Sequence, residues 1–204
     1  MNTTDEPTLH GDLVTLRPFS AADTDAMLAA TMDPKTRRLT STQATFTRDQ
    51  IERWCEKIAT SEGPIVLAIV PRENGTFLGE VVLNEIDPRN LSAIFRVSLA
   101  SAEHFGKGYG SEAARLLLGY GFGRLGLNRI PLDVFDFSER AIHVYRTLGF
   151  REEGRLREVL LMDGRRHDAS VMSMLRREYL PAAASTPPPT RPHRLGQVDP
   201  LDGA

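Results

Sequence analysis

The sequence predicts an α/β chain of the α+β kind, a mostly antiparallel sheet of about seven strands with about four helices packed on it. Three observations carry this expectation. A strand and two helical stretches come first, and strands joined by turn signals follow between residues 65 and 100. A glycine-rich loop then opens a third helix at Gly110. Last come a strand, a helix and a hairpin that ends near Leu175.

The elements follow from local patterns. Leu13-Val14-Thr15-Leu16-Arg17 alternates and reads as a strand that Pro18 ends. Ser20 and Asp23 have capping-box spacing ahead of the helix formers in 21–31. Asp33-Pro34 reads as a break, and residues 35–46, which lack a period, as a loop or a short turn of helix. Thr47 with Gln50 is a second capping box, and Ile51, Trp54, Cys55 and Ile58 form a core-facing stripe before Gly63-Pro64. Strands are expected over 65–70, 77–86 and 91–100, separated by turns at Glu73-Asn74-Gly75-Thr76 and Asp87-Pro88-Arg89-Asn90. Ala113, Ala114, Leu117, Leu118 and Gly121 carry helical spacing to about Phe122. A strand over 129–135 precedes a helix over 138–148, where Gly149 is placed to end the helix and Phe150 to make its closing contact. Strands over 153–162 and 165–175 flank Asp163-Gly164, a type I′ signal.

Composition narrows the class. With 41% hydrophobic and 25% charged residues, the chain has enough apolar material for one well-buried core. From Pro181 onward apolar periodicity stops and proline and alanine dominate. The expected organisation is a flexible N-terminus over 1–8, one domain over 9–180 and a disordered tail over 181–204. A formal charge of −2 with scattered charges gives no drive toward direct nucleic-acid binding. The start lacks an apolar signal-peptide core, and no run is long enough to span a membrane. The single cysteine, Cys55, excludes an intrachain disulfide framework and fits a cytoplasmic setting. On its apolar stripe it reads as a buried, inert thiol. The five histidines show no metal-binding spacing, so no metal is expected.

The densest chemical signal is Phe105-Gly106-Lys107-Gly108-Tyr109-Gly110-Ser111-Glu112. Glycines that open a helix bring several N–H groups toward one place, where the helix dipole also favours an anion, so the loop reads as a phosphate cradle. Lys107 lacks the following Ser or Thr of a Walker loop. Gly108-x-Gly110-x-x-Ala113 matches a dinucleotide fingerprint, with Asp133 or Asp136 at roughly the right distance, but the strand before it belongs to an antiparallel run. Close helix packing is the plainer reading of the same small residues.

Residues 106–113 resemble the acetyl-CoA pyrophosphate loop of the GNAT N-acetyltransferases. The stretch from Ala141 to Phe150, with Tyr145 and a closing Leu148-Gly149-Phe150, is similar to a second signature of that superfamily. Residues 151–158, then Asp163-Gly164-Arg165-Arg166-His167-Asp168 and Met172, resemble its RimJ/RimL branch, as does Leu13-Val14-Thr15-Leu16-Arg17-Pro18. The resemblance covers about residues 9–180 and implies the GNAT fold, with a central mixed, mostly antiparallel sheet. Two positions depart from the superfamily pattern: Phe105 stands where Arg or Gln is usual, and Ser138 where Asn is frequent.

The resemblance implies transfer of the acetyl group of acetyl-CoA directly to a primary amine. Backbone N–H groups of Gly106, Lys107, Gly108, Tyr109, Gly110 and Ser111 would hold the pyrophosphate, with the Lys107 ammonium nearby; a solvated surface lysine is the plainer reading. Ser98, Leu99 and Ala100 would pair with the pantetheine arm, and the Leu99 N–H would meet the thioester oxygen. Ser138 would contact the cofactor or cap its helix. Tyr145 is expected as the acid for the leaving thiolate, and Glu80 or Asp133 as the base for the amine. Tyr145 is also readable as a packed aromatic, and Glu80 and Asp133 as outward charges. The acceptor stays open between a protein N-terminus, as in RimJ/RimL-type enzymes, and a small amine such as a polyamine or aminoglycoside. Residues 31–46 and the Asp163-Gly164 hairpin would shape its site, and Asp33, Glu80 and Glu85 could attract a cation. The resemblance makes a homodimer an expectation. A CoA-binding sensor without catalysis is the alternative, motivated by Phe105 and Ser138.

Overall fold

Alternating and apolar runs build one eight-stranded sheet in the order β1-β2-β3-β4-β5-β6-β8-β7. The computed structural model describes residues 7–60 and 63–179; the tail expected over 181–204 lies outside the described residues, as do residues 1–6. The strands are β1 (Leu9–His10), β2 (Val14–Pro18), β3 (Ile65–Pro71), β4 (Gly79–Asp87), β5 (Ser92–Leu99), β6 (Arg129–Phe135), β7 (Arg151–Met162) and β8 (Arg165–Leu175). The helices are α1 (Thr24–Met32), α2 (Pro34–Leu39), α3 (Arg48–Thr60), α4 (Tyr109–Gly119), α5 (Glu139–Leu148) and α6 (Arg176–Tyr179). The expected GNAT fold is present, with one strand more than expected, the two-residue β1.

The sheet carries a core on each face because its central strands are apolar on both. Leu67, Ile69, Val81 and Leu83 pack with Ala113, Leu117, Phe122 and Tyr145 from the α4 and α5 side. The alternate residues Val66, Ala68 and Val82 pack with Phe19, Ile51, Cys55, Ile58 and Phe77 on the side of α1 and α3. Cys55 is buried in this second core, and burial pushes its thiol pKa up, as an inert thiol requires.

Ladders are antiparallel except between β5 and β6, which share a single parallel pair, Ser92 with Arg129. Beyond it the two strands carry no further ladder pairs among the described residues. The α4 crossover between them makes the parallel relation obligatory. The sheet is therefore open between the C-terminal ends of β5 and β6. At the neighbouring edge Gly79 pairs with Leu99. A Cβ at Gly79, with φ 150°, would lie 2.1 Å from the Ser98 carbonyl oxygen, so only glycine lets β4 approach β5 this closely.

The expected break at Asp33-Pro34 separates α1 from α2, and of residues 35–46, read as a loop or a short turn of helix, those through Leu39 are helical. Asp33 Oδ1 accepts from the Thr36 N–H at 2.7 Å, and Pro34 occupies the first turn, where its missing N–H costs nothing. The capping box at Thr47 forms as expected, with Thr47 N–H to Gln50 Oε1 at 2.8 Å and Gln50 N–H to Thr47 Oγ1 at 3.3 Å. Gly149 closes α5 in the left-handed region, and the Phe150 N–H returns to the Tyr145 carbonyl at 3.0 Å. Asp163 and Gly164 have φ of 50° and 72°, as a type I′ turn needs.

A carboxylate fixes the glycine-loop helix to the sheet edge. Glu112 Oε1 accepts from the Asp12 N–H at 2.9 Å, and Oε2 accepts from the Leu13 and Val14 N–H groups at 2.7 Å each. Glu112→Ala leaves these donors to water and should lower stability by about 2 kcal/mol. Glu112→Gln, which retains one acceptor, should lose less. Urea midpoints of the two variants against the parent check the order.

Candidate active site

The opening between β5 and β6 leads into a cavity of about 990 Å³ that reaches both faces of the sheet. It is lined by Ser98, Leu99 and Ala100 at the end of β5 and by Gly106, Gly108, Tyr109, Gly110, Ser111, Ser138 and Tyr145. Of the cofactor-binding residues expected from sequence, Lys107 alone is outside this lining; its side chain is exposed. Glu80 and Asp133 also border the cavity, from strands on opposite sides of the gap.

The helix start is built for an anion. Gly108 is the N-cap of α4 with φ 86°, in the left-handed region, and supplies no side-chain cap. The ladder begins with Glu112 N–H to the Gly108 carbonyl at 3.0 Å, so the N–H groups of Tyr109, Gly110 and Ser111 have no helical partner. They lie at the positive end of the helix dipole. Ser138, buried, is the N-cap of α5 but makes no side-chain capping bond.

Phe105 removes a donor from the loop, yet the structure gathers cations over its ring. Lys35 Nζ is 5.4 Å and Arg140 Cζ 5.7 Å from the ring centroid. A Cβ built at Gly106 would lie 3.1 Å from Arg140 Nη2, so the guanidinium sits directly beside the loop. Lys35, Phe105 and Arg140 all line the cavity. Sequence reasoning did not find Lys35 or Arg140. Arg140 has only its place two residues past Ser138 as a signal, and Lys35 depends on α2, which the sequence left open between a loop and a short turn of helix.

At the end of β5 the Ala100 N–H donates to the Leu78 carbonyl at 2.8 Å, toward β4. Successive strand N–H groups point to opposite edges, so that of Leu99 faces the gap that β6 has left. Thr36, buried on α2, donates its hydroxyl to the Leu99 and Ala100 carbonyls at 3.2 Å each, which holds this end in place.

Glu80 is buried on the α1–α3 face beside Ala68 and opposite Ser98. Arg96 Nη2 donates to its Oε1 at 2.8 Å, and Oε2 has no hydrogen-bond partner among the described residues. Burial raises the carboxyl pKa, and the Arg96 charge pulls it partly back. Asp133, by contrast, is exposed. Tyr145 is buried among Phe95 and Phe150, with centroids 6.3 and 5.7 Å away, and burial pushes its phenol up to about 12. A buried carboxylate with a spare oxygen and a phenol that stays protonated thus border one cavity from its two sides.

Of residues 31–46, expected with the hairpin to shape the acceptor site, eight line the cavity, from Thr31 to Phe46, and the hairpin touches this stretch instead of the lining. Arg38 pairs with Asp163 at 3.1 Å, and Gln43 Nε2 donates to the Leu161 carbonyl at 3.0 Å. Of the three acids read as attractors, only Glu80 reaches the cavity; Asp33 caps α2, and Glu85 lies outside the lining. Among the described residues no group of His, Cys, Asp and Glu could hold a metal ion, and no helix is long and apolar enough to cross a membrane.

A sheet parted between two strands, with an anion-binding helix start on one side of the gap, defines an acetyltransferase fold. The chain belongs to the GNAT acetyltransferases, whose acetyltransferase (GNAT) domain matches residues 14–151, and it is an acetyl-CoA-dependent N-acetyltransferase. The uncharacterized N-acetyltransferase p20 of Bacillus licheniformis is 31% identical over 176 residues, covering 84% of this chain and 98% of its own length. The spermidine N(1)-acetyltransferase of Escherichia coli K12 is 38% identical over 107 residues, 52% of this chain and 57% of its own. The crystal structure of spermidine N-acetyltransferase from Vibrio cholerae in complex with CoA and spermine matches with a TM-score of 0.77 and 26% identity, over 83% of this chain and 99% of that one.

The cation pair over Phe105 is open to test. Arg140→Ala should raise KM for acetyl-CoA roughly tenfold and leave kcat nearly unchanged, because it removes binding common to ground and transition states. Initial rates over a range of acetyl-CoA at saturating amine measure both constants.

Proposed function

We propose that the chain transfers the acetyl group of acetyl-CoA directly to a primary amine, with Glu80 as base and Tyr145 as acid. The observation that carries this reading is the unpartnered Oε2 of buried Glu80 on the cavity wall opposite the phosphate-binding side. The N–H groups of residues 106–111, with Arg140 and Lys35 nearby, would hold the cofactor phosphates. Ser98, Leu99 and Ala100 would pair with the pantetheine arm, and the Leu99 N–H would receive the thioester oxygen as negative charge grows on it.

In the reaction the amine nitrogen attacks the thioester carbon and a C–N bond forms. The surplus amine proton passes to Glu80. The C–S bond then breaks, and the leaving sulfur takes a proton from Tyr145. The raised phenol pKa keeps that proton in place through the working pH range. Asp133 is left as an exposed charge, and Ser138 as a cofactor contact.

The motifs at residues 151–168 support a place in the RimJ/RimL branch. The same reading takes residues 9–180 as one cytoplasmic domain with a homodimer as its assembly and no direct role for nucleic acid. The acceptor is a protein N-terminal amine or a small-molecule amine.

The test is acetyl-CoA turnover against a panel of amines, followed by single variants. Glu80→Gln should lower kcat/KM roughly a hundredfold, and Tyr145→Phe should lower kcat while KM for acetyl-CoA is kept. Full activity in Tyr145→Phe would overturn the acid role. Glu80 works as a base only when ionised, and its pKa is raised, so activity should fall with decreasing pH above the usual carboxylate range. Arg96→Ala removes the charge that lowers this pKa and should move that acidic limb to still higher pH.

A further inference from the structure

The wall of the cavity on the side of α1 and α3, read as the acceptor side, carries the apolar side chains Met27, Ala30, Phe46, Ile51, Trp54 and Phe77, with Thr31, Thr40 and Gln50 among its polar ones. Five of the apolar six belong to or pack on the second hydrophobic core as partly or fully buried groups: Met27, Phe46, Ile51, Trp54 and Phe77. Acidic residues along the whole cavity are Glu80, Asp133 and Glu139, and the last two stand on β6 and α5, across the gap. On the acceptor side Glu80 is the one acid, and it is already shared with Arg96. The other charged lining groups on this side, Arg37 and Arg96, are cations, while Lys35 lies with Arg140 over Phe105. Arg37 is held by the Thr31, Ala44 and Gln43 carbonyls, so its charge stays fixed at this wall.

A cation that leaves water needs a countercharge or a hydrogen-bonding partner at its new place. This wall offers one spare carboxylate oxygen as countercharge, a few neutral hydroxyl and amide groups, and an apolar, partly aromatic surface. A polyamine or aminoglycoside would bring several ammonium groups against that surface and against two resident cations. An amine with one charge and an apolar body would place its nitrogen at Glu80 and its body against Trp54 and Phe46. We infer that the acceptor is a primary monoamine with an aromatic-sized apolar group close to its nitrogen, not a polycation. The inference rests on the proposed roles of Glu80 and of this cavity, and it separates the chain from the spermidine N-acetyltransferases it is similar to.

The test measures CoA release for 2-phenylethylamine and tryptamine against spermidine, kanamycin and a short peptide with a polar first residue. The aromatic monoamines should exceed the other three at least tenfold in kcat/KM. Phe46→Ala, in a partly exposed loop position, should raise KM for the aromatic amines and leave KM for acetyl-CoA unchanged. Gln50→Glu, which adds a carboxylate at an exposed point of the wall, should shift the ratio toward spermidine. Spermidine, kanamycin or the peptide used as well as the aromatic amines would overturn the inference while leaving the acetyltransferase reading intact. Acetyl-CoA bound without CoA release on any amine would overturn both.

Discussion

Everything chemical in this molecule depends on one interrupted ladder. β5 and β6 meet at Ser92 and Arg129 and then separate. Had they stayed paired, the Leu99 N–H would be consumed by β6 and the two faces of the sheet would be sealed from each other. Their separation leaves an unsatisfied strand edge inside the protein, which is costly in the absence of a ligand that can pair with it. The edge is therefore braced from elsewhere. Gly79 lets β4 close on Ser98, and the Thr36 hydroxyl holds the Leu99 and Ala100 carbonyls.

The same opening brings a buried carboxyl and a buried phenol, proposed as base and acid, to one cavity. Glu80 belongs to the α1–α3 face, where Arg96 compensates only one of its oxygens. Tyr145 belongs to the α4–α5 face, held by Phe95 and by Phe150 at the end of its own helix. Both pKa values rise for one reason, burial, but the consequences differ. For the carboxyl, a raised pKa makes a better base. For the phenol, it keeps a donor loaded. The α5 cap contributes directly, because the Phe150 N–H bonded to the Tyr145 carbonyl seats Phe150 against the Tyr145 ring.

Elements with a local cause were legible in the sequence. The Thr47 capping box, the Gly149 ending and the Asp163-Gly164 turn each follow from a few adjacent residues and form as expected. Asp33-Pro34 does break the chain between α1 and α2, but that the same pair also starts the second helix is decided only by the Thr36 N–H bond. The parting of β5 and β6 leaves no mark on periodicity, since both strands alternate normally. Glu80 and Asp133 looked alike as strand carboxylates; burial at one and exposure at the other distinguish them, and burial is a property of the whole fold. The cations over Phe105 come from α2 and α5, far apart in the chain, so a loop that seemed to have lost a donor could not be seen to sit under two.

Cofactor recognition and acceptor recognition rest on different kinds of group. The first is dominated by backbone donors at Gly108 to Ser111 and along β5, whose positions follow from glycine conformations and strand geometry. Such a site constrains few side-chain identities beyond the glycines themselves, so a short motif is enough to announce it. The second, as proposed, is a wall of side chains from α1, the loop before α3, α3 and the residues ahead of β4, next to α2, which Arg37 and Arg38 tie to Thr31 and Asp163. Each of those side chains can change without disturbing the ladder that positions the thioester. Likeness among such proteins therefore transmits the chemistry of acetyl transfer more faithfully than the identity of the amine. On the proposed reading, the amine follows from how many charges the α1–α3 wall can compensate, and that wall has one carboxylate with one oxygen to spare.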